Sequence, residues 1–141
     1  MKLLFSAFLL LSLVAACSEG SSIGNSLSPE PSITSTLGPF AASDANAVIS
    51  GLCELSDPDI AVDRANTIFF EQVHSRLHVL AAAVEPIDRS VSGALFEAKQ
   101  RVELDLAAEA LPASYLEDVK RLLEAVAGAL DAAGLPATTC G

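Results

Sequence analysis

Residues 57–86, DPDIAVDRANTIFFEQVHSRLHVLAAAVEP, decide the fold class of this chain. Apolar side chains recur here at intervals of three or four residues, which is typical of an α-helix with one face in a core. They are Val62, Ala65, Phe69, Val73, Leu77, Leu80 and Val84. Because Asp57 can cap a helix and Pro58 suits the first helical position, we expect a helix that begins there and stops at Glu85-Pro86.

Three further segments with the same period complete the body of the chain. A short one covers residues 44–55, another covers residues 87–110, and the last lies between Pro112 and Gly134. Since the connections between the long segments are short and contain proline, consecutive helices are expected to lie antiparallel. The sequence therefore predicts an all-α, up-and-down antiparallel bundle of three long helices plus one short N-terminal helix over residues 44–141.

The apolar stripes of the last two segments predict which faces enter the core. They are Val91, Leu95, Ala98, Val102 and Leu106, followed by Leu116, Val119, Leu123, Val126 and Leu130. Ser114 and Glu117 have the spacing of a capping box, so Ser114 is expected to cap the last helix. Phe70, Phe96 and Leu104 lie off the stripes. They either fill a second interface within the bundle or form an exposed patch for a partner.

The first seventeen residues have the organisation of an export signal. Lys2 precedes an apolar run over residues 3–16, which is too short to span a bilayer core of about 30 Å comfortably. The run leads into LVAAC at residues 13–17, which resembles the lipobox of bacterial lipoproteins. This resemblance implies that residues 1–16 are a removed signal peptide and that Cys17 is acylated, with palmitate among the acyl groups. The alternative is an ordinary secretory signal with Cys17 as an unmodified thiol.

The segment after this signal has the composition of a linker. Residues 17–43 are rich in Ser, Thr, Gly and Pro, and their only charged members are Glu19 and Glu30. Such a composition predicts a flexible tether. We therefore expect a lipid-anchored protein of the cell envelope, held to the membrane through its acyl chains. Its body would lie on the exported side, in the periplasm or at the cell surface.

The cysteines predict a covalent link within the body. If acylation uses Cys17, only Cys53 and Cys140 remain of the three cysteines in the chain. Free thiols pair in an oxidising compartment, so these two are expected to form a disulfide that staples the bundle. A catalytic redox role is disfavoured because the chain has no Cys-x-x-Cys motif.

The net charge and the lack of two common functional motifs argue against several classes of function. With 18 acidic and 8 basic residues the formal net charge is −10, which disfavours binding to nucleic acid through protein charge. The sequence has neither a Gly-rich phosphate loop nor a Gly-x-Ser-x-Gly elbow. We therefore expect a non-enzymatic interaction or structural module without a cofactor, with an envelope protein as a possible partner.

Glu71, His74 and His78 form the one group with metal-ligand chemistry. Their spacing puts them on one side of a helix, with the imidazoles one turn apart. Such a pair with carboxylates suits Zn, Cu, Ni or Fe better than Mg or Ca. However, a helical wheel places the group away from the apolar stripe, which favours a solvated polar face with two histidines at its boundary over a metal site. A metal site would need further ligands from the third segment: Glu97, Glu103 or Asp105.

Two other polar groups have structural interpretations. Glu97 and Arg101 stand four residues apart, the spacing of an ion pair on the surface of a helix. Tyr115 begins the last predicted helix and is expected to pack its ring against the core while its hydroxyl stays in water.

Overall fold

The computed structural model describes residues 40–140, and this part of the chain is helical with no strand. The elements are α1 (Ala42–Leu55), α2 (Val62–Ile68), a π-helical segment (Phe69–Val73), α3 (His74–Val84), α4 (Arg89–Leu106) and α5 (Tyr115–Ala132). Since α2, the π-helical segment and α3 follow one another without a break, they form one long element. The predicted antiparallel bundle of three long helices and a short first one is confirmed. None of the described helices has the length and apolar character needed to cross a membrane.

The predicted signal peptide over residues 1–16, the acylation site Cys17 and the tether up to residue 39 lie outside the described residues. Helix α1 begins at Ala42, slightly before the predicted start at residue 44. The carboxylate of Asp44 accepts a hydrogen bond of 3.2 Å from the backbone N–H of Ala41 and so helps to fix this start.

Two predicted helix caps were wrong. The carboxylate of Asp57 accepts a hydrogen bond of 2.9 Å from the backbone N–H of Asp59, which closes a turn, and α2 begins only at Val62. Pro58 therefore lies in this turn and not at the first helical position. Ser114 has helical backbone angles and makes no side-chain cap hydrogen bond, so the predicted capping box is not formed.

Two other helix ends have the local chemistry of a cap. The carboxylate of Asp88 accepts hydrogen bonds of 2.9 and 3.1 Å from two backbone N–H groups, which starts α4 inside its predicted range. At the end of α5, Gly134 has a φ of 70°. The backbone N–H of Leu135 donates to the carbonyl of Leu130 at 2.8 Å, which completes a Schellman motif. The predicted end of this helix at Gly134 is confirmed.

One hydrophobic core lies between the helices. The stripe predicted for residues 62–84 is buried apart from Val62, which is half-buried. In α5 the predicted residues Val119, Val126 and Leu130 are buried, as expected. The prediction was wrong at Leu116, which is exposed, whereas the neighbouring positions Tyr115 and Leu122 are buried. Each of these residues has an apolar neighbour next to it in sequence, so the pattern left the phase of the helix uncertain by about 100°.

The first helix is held to the rest of the bundle in two ways. Cys53 and Cys140 form the predicted disulfide, with their Cα atoms 5.5 Å apart, and it joins α1 to the tail after α5. Further along α1, Gly51 is buried against the π-helical segment. A Cβ atom at Gly51 would lie 2.6 Å from Cγ2 of Val73, so the glycine leaves the space that the side chain of Val73 occupies.

Candidate functional site

The π-helical segment decides where the two histidines lie. The backbone N–H of His74 donates to the carbonyl of Phe69, five residues earlier, which adds one residue to the turn. An extra residue rotates everything after it by about 100° relative to a regular α-helix. As a result, the side chain of His74 is only 31% exposed and contacts α4. This agrees with the predicted polar face and its boundary histidines, since His74 is partly exposed and His78 is exposed.

His74, His78 and Glu103 meet where α3 packs against α4. Nε2 of His74 lies 2.9 Å from Oε1 of Glu103 and 3.3 Å from Nε2 of His78. The two imidazole rings have centroids 4.7 Å apart and meet edge to face. In the tautomer with a proton on Nε2, His74 can donate it to the carboxylate of Glu103 or to Nε2 of His78.

Lys99 completes the group from α4. Its Nζ donates to the same Oε1 of Glu103 at 2.8 Å, and its side chain is only 7% exposed. A buried ammonium needs a counter-charge, which Glu103 supplies. The carboxylate is thereby held between Lys99 and His74. The role of Lys99 was not predicted, although its spacing of four residues from Glu103 is that of an ion pair within a helix.

Two aromatic rings flank the histidines. Phe70 lies beside His74 with ring centroids 5.5 Å apart, and Phe96 lies beside His78 at 5.7 Å. These two phenylalanines are 48% and 40% exposed, and Leu104 is exposed as well. Of the two possibilities that the sequence left open for these side chains, the structure places all three at the surface.

The charges around His78 favour its neutral form. Partial burial lowers the pKa of the His78 imidazole below its ordinary value of 6.5, and the positive charges of Lys99 and His74 lower this pKa further. The carboxylate of Glu103 acts in the opposite direction and has the smallest influence of the four. His78 therefore keeps a lone pair available at neutral pH.

Of the carboxylates predicted as ligands, Glu103 is the one that contacts a histidine. Glu71 is exposed and forms no hydrogen bond or ion pair with other described residues. Glu97 forms the predicted ion pair with Arg101, at 2.9 Å. Asp105 interacts with a carboxylate of α5 instead. Within residues 40–140, no three His, Cys, Asp or Glu side chains are already arranged as a metal site.

A second polar cluster lies between α4 and α5, and the sequence did not predict it. Burial raises the pKa of the Tyr115 hydroxyl to about 12, and the charge of Asp105 adds to this effect. Burial also raises the pKa of Asp105, as do the charge of Asp118 and its hydrogen bond. The prediction of a solvated Tyr115 hydroxyl was wrong, because this group is buried at the helix interface and lacks a hydrogen-bond partner among the described residues.

Comparisons with known proteins assign no role to these residues: no family model matches the chain, and no curated protein or solved structure does. The roles of His74, Lys99 and Glu103 are therefore argued from their distances, charges and exposure.

Proposed function

We propose that this chain is a membrane-anchored lipoprotein of the cell envelope whose helical body is a non-enzymatic interaction module. The observation that carries the proposal is that two of the three cysteines form a disulfide and the third does not take part in it. Cys53 and Cys140 are joined in a disulfide, which is the chemistry of an exported, oxidising compartment. This pairing leaves Cys17, the last residue of the lipobox-like sequence, as the acyl acceptor. Two or more acyl chains on one residue suffice for stable anchoring.

The surface around Phe70 and Phe96 supports a partner-binding role for the body. Both rings are exposed, and aromatic side chains are enriched where proteins bind one another. Beside Phe96, the surface of α4 is concave and offers the exposed polar groups of Glu97 and Gln100. We propose that an envelope protein binds here, with the aromatic rings as its apolar contact and the polar groups at the rim.

Metabolic labelling tests the anchor. The full chain is expressed in a bacterium supplied with a palmitate analogue, and the label and membrane association of the protein are measured. Cys17→Ser is expected to lose both. The matched control, Cys53→Ser combined with Cys140→Ser, is expected to keep both because these cysteines form the disulfide. Label retained by Cys17→Ser, or absent from the unaltered chain, would contradict the proposal.

Site-specific crosslinking on intact cells tests the partner surface. A photoreactive amino acid replaces Phe96, and the matched control places it at Gly128, an exposed position of α5. A discrete adduct from position 96 and none from position 128 is expected. Equal adducts from both positions, or no adduct from position 96, would contradict the assignment of this surface.

A further inference from the structure

We propose that His74, His78 and Glu103 bind one first-row transition-metal ion, and that Zn²⁺ suits them best. This site goes beyond the proposed anchoring and interaction role, and its failure would leave that role intact. Two imidazoles and a carboxylate are a ligand set that Zn²⁺ uses, with a fourth position left for water or a ligand from a partner. Two features support this site: the spacing of the histidine nitrogens and the third ligand that α4 supplies.

The histidine nitrogens have the separation of two ligands on one ion. Zn–N bonds are about 2.0–2.1 Å long, so two nitrogens at a tetrahedral angle lie roughly 3.3–3.4 Å apart. Nε2 of His74 and Nε2 of His78 are 3.3 Å apart. Because the two residues stand one turn apart on α3, an ion can be placed between the nitrogens without a change in the backbone.

The carboxylate of Glu103 is the third ligand. Its Oε1 is already 2.9 Å from Nε2 of His74, within hydrogen-bond distance. A metal ion bound to both atoms would form a Zn–O bond of about 2.0–2.2 Å. Since the three side chains are not yet arranged as a finished site, binding requires Glu103 to turn towards His78. Glu103 is only partly buried, which leaves room for this rotation.

Two neighbouring side chains, Lys99 and Phe96, affect the affinity of the site and its access to solvent. The ammonium of Lys99 holds the carboxylate of Glu103 in place, as hydrogen bonds commonly do for metal-ligating groups. Its positive charge also opposes a divalent cation, so we expect micromolar affinity and not that of a structural zinc site. Glu103 lines the concave surface beside Phe96, so this ligand can be reached from solvent.

Calorimetric titration with zinc chloride tests the site. The full chain is used in detergent with Cys17→Ser, so that no free thiol competes for the metal. One Zn²⁺ per chain is expected. His74→Ala, His78→Ala and Glu103→Gln are each expected to weaken binding by at least about tenfold. Glu71→Gln is the matched control: it removes the same charge from an exposed position and is expected to leave the affinity unchanged.

Each other outcome overturns the proposal. A chain that binds no Zn²⁺, or whose binding survives His78→Ala, has no site between the histidines. If Glu71→Gln weakened Zn²⁺ binding as much as Glu103→Gln, Glu103 would not be the carboxylate ligand. Circular dichroism of every variant in a metal chelator confirms that the bundle is folded, so that a loss of binding reports the ligand and not the fold.

Discussion

Gly51 in α1 and Val73 at the end of the π-helical segment are in such close contact that a Cβ atom at Gly51 would lie 2.6 Å from Cγ2 of Val73. Val73 immediately precedes His74, so this contact fixes the turn that directs the histidine towards α4. The packing of α1 therefore stabilises the fold and also supports the turn that precedes the candidate metal site.

Gly51→Ala is expected to destabilise the bundle by about 1–3 kcal/mol, because the added methyl group overpacks the α1 contact. Gly93→Ala and Gly128→Ala are the controls, since both glycines are exposed within helices and an added Cβ would meet nothing within 4 Å. These two variants are expected to gain about 0.5–1 kcal/mol from the higher helix propensity of alanine. Urea denaturation measures all three, and a Gly51→Ala protein as stable as the parent would contradict the close contact.

Loss of the Cys53–Cys140 disulfide is expected to lower the free energy of unfolding by about 2–4 kcal/mol, because the bond closes a long loop in the unfolded chain. Thermal unfolding of the Cys53→Ser, Cys140→Ser double variant measures this loss. A reducing agent should lower the melting temperature of the parent and leave that of the double variant unchanged. A parent melting curve that does not respond to reduction would show that the bond is absent or without effect.

Asp105→Asn is expected to stabilise the protein at neutral pH. Burial and the neighbouring Asp118 raise the pKa of Asp105 above its ordinary value of 3.8, so the folded state disfavours the ionised form. The parent is therefore expected to lose stability as the pH rises from about 4 through the raised pKa of Asp105. Asparagine removes this loss, because its amide can donate to Asp118 without titrating. Glu124→Gln, at an exposed position of α5, is the control and should leave the pH profile unchanged.

Asp88 should show the opposite pH dependence. Hydrogen bonds from Ser90 and from the backbone of Val91 lower the pKa of Asp88 below 3.8. Its stabilising contribution is therefore present above pH 3.8 and lost as the pH falls through the lowered pKa. Asp88→Ala is expected to lower the melting temperature at pH 7, whereas Asp88→Asn keeps the cap and loses the acid dependence. Equal melting temperatures for Asp88→Ala and the parent would contradict the cap.

Much of the fold could be predicted because its signals are local. The period of three and four between Ala65 and Val84 marks a buried helical face, and Gly134 marks a helix end through its tolerance of positive φ. The disulfide followed from the small number of cysteines. The predicted helix cap at Asp57 was wrong because an aspartate carboxylate can equally well close a turn, as it does here. The sequence does not indicate which of the two structures forms.

The candidate site was harder to predict, because it depends on the π-helical segment and on contacts between helices. Nothing in the sequence of residues 69–73 distinguishes them from a regular helix, so the π-helical turn before His74 could not be predicted. Glu71 stood nearer to the histidines in sequence than Glu103, which reaches them only because α4 packs against α3. The burial of Tyr115 likewise depends on a pairing of α4 with α5 that has no local signal.

The intact mass of the chain purified from the membrane is the most direct test of the proposed lipid anchor. We expect a mature protein that begins at Cys17, carries the added mass of acyl chains on that residue, and lacks the thiol hydrogens of Cys53 and Cys140. A chain that begins at another residue, or one whose Cys17 is unmodified, would overturn the lipoprotein proposal.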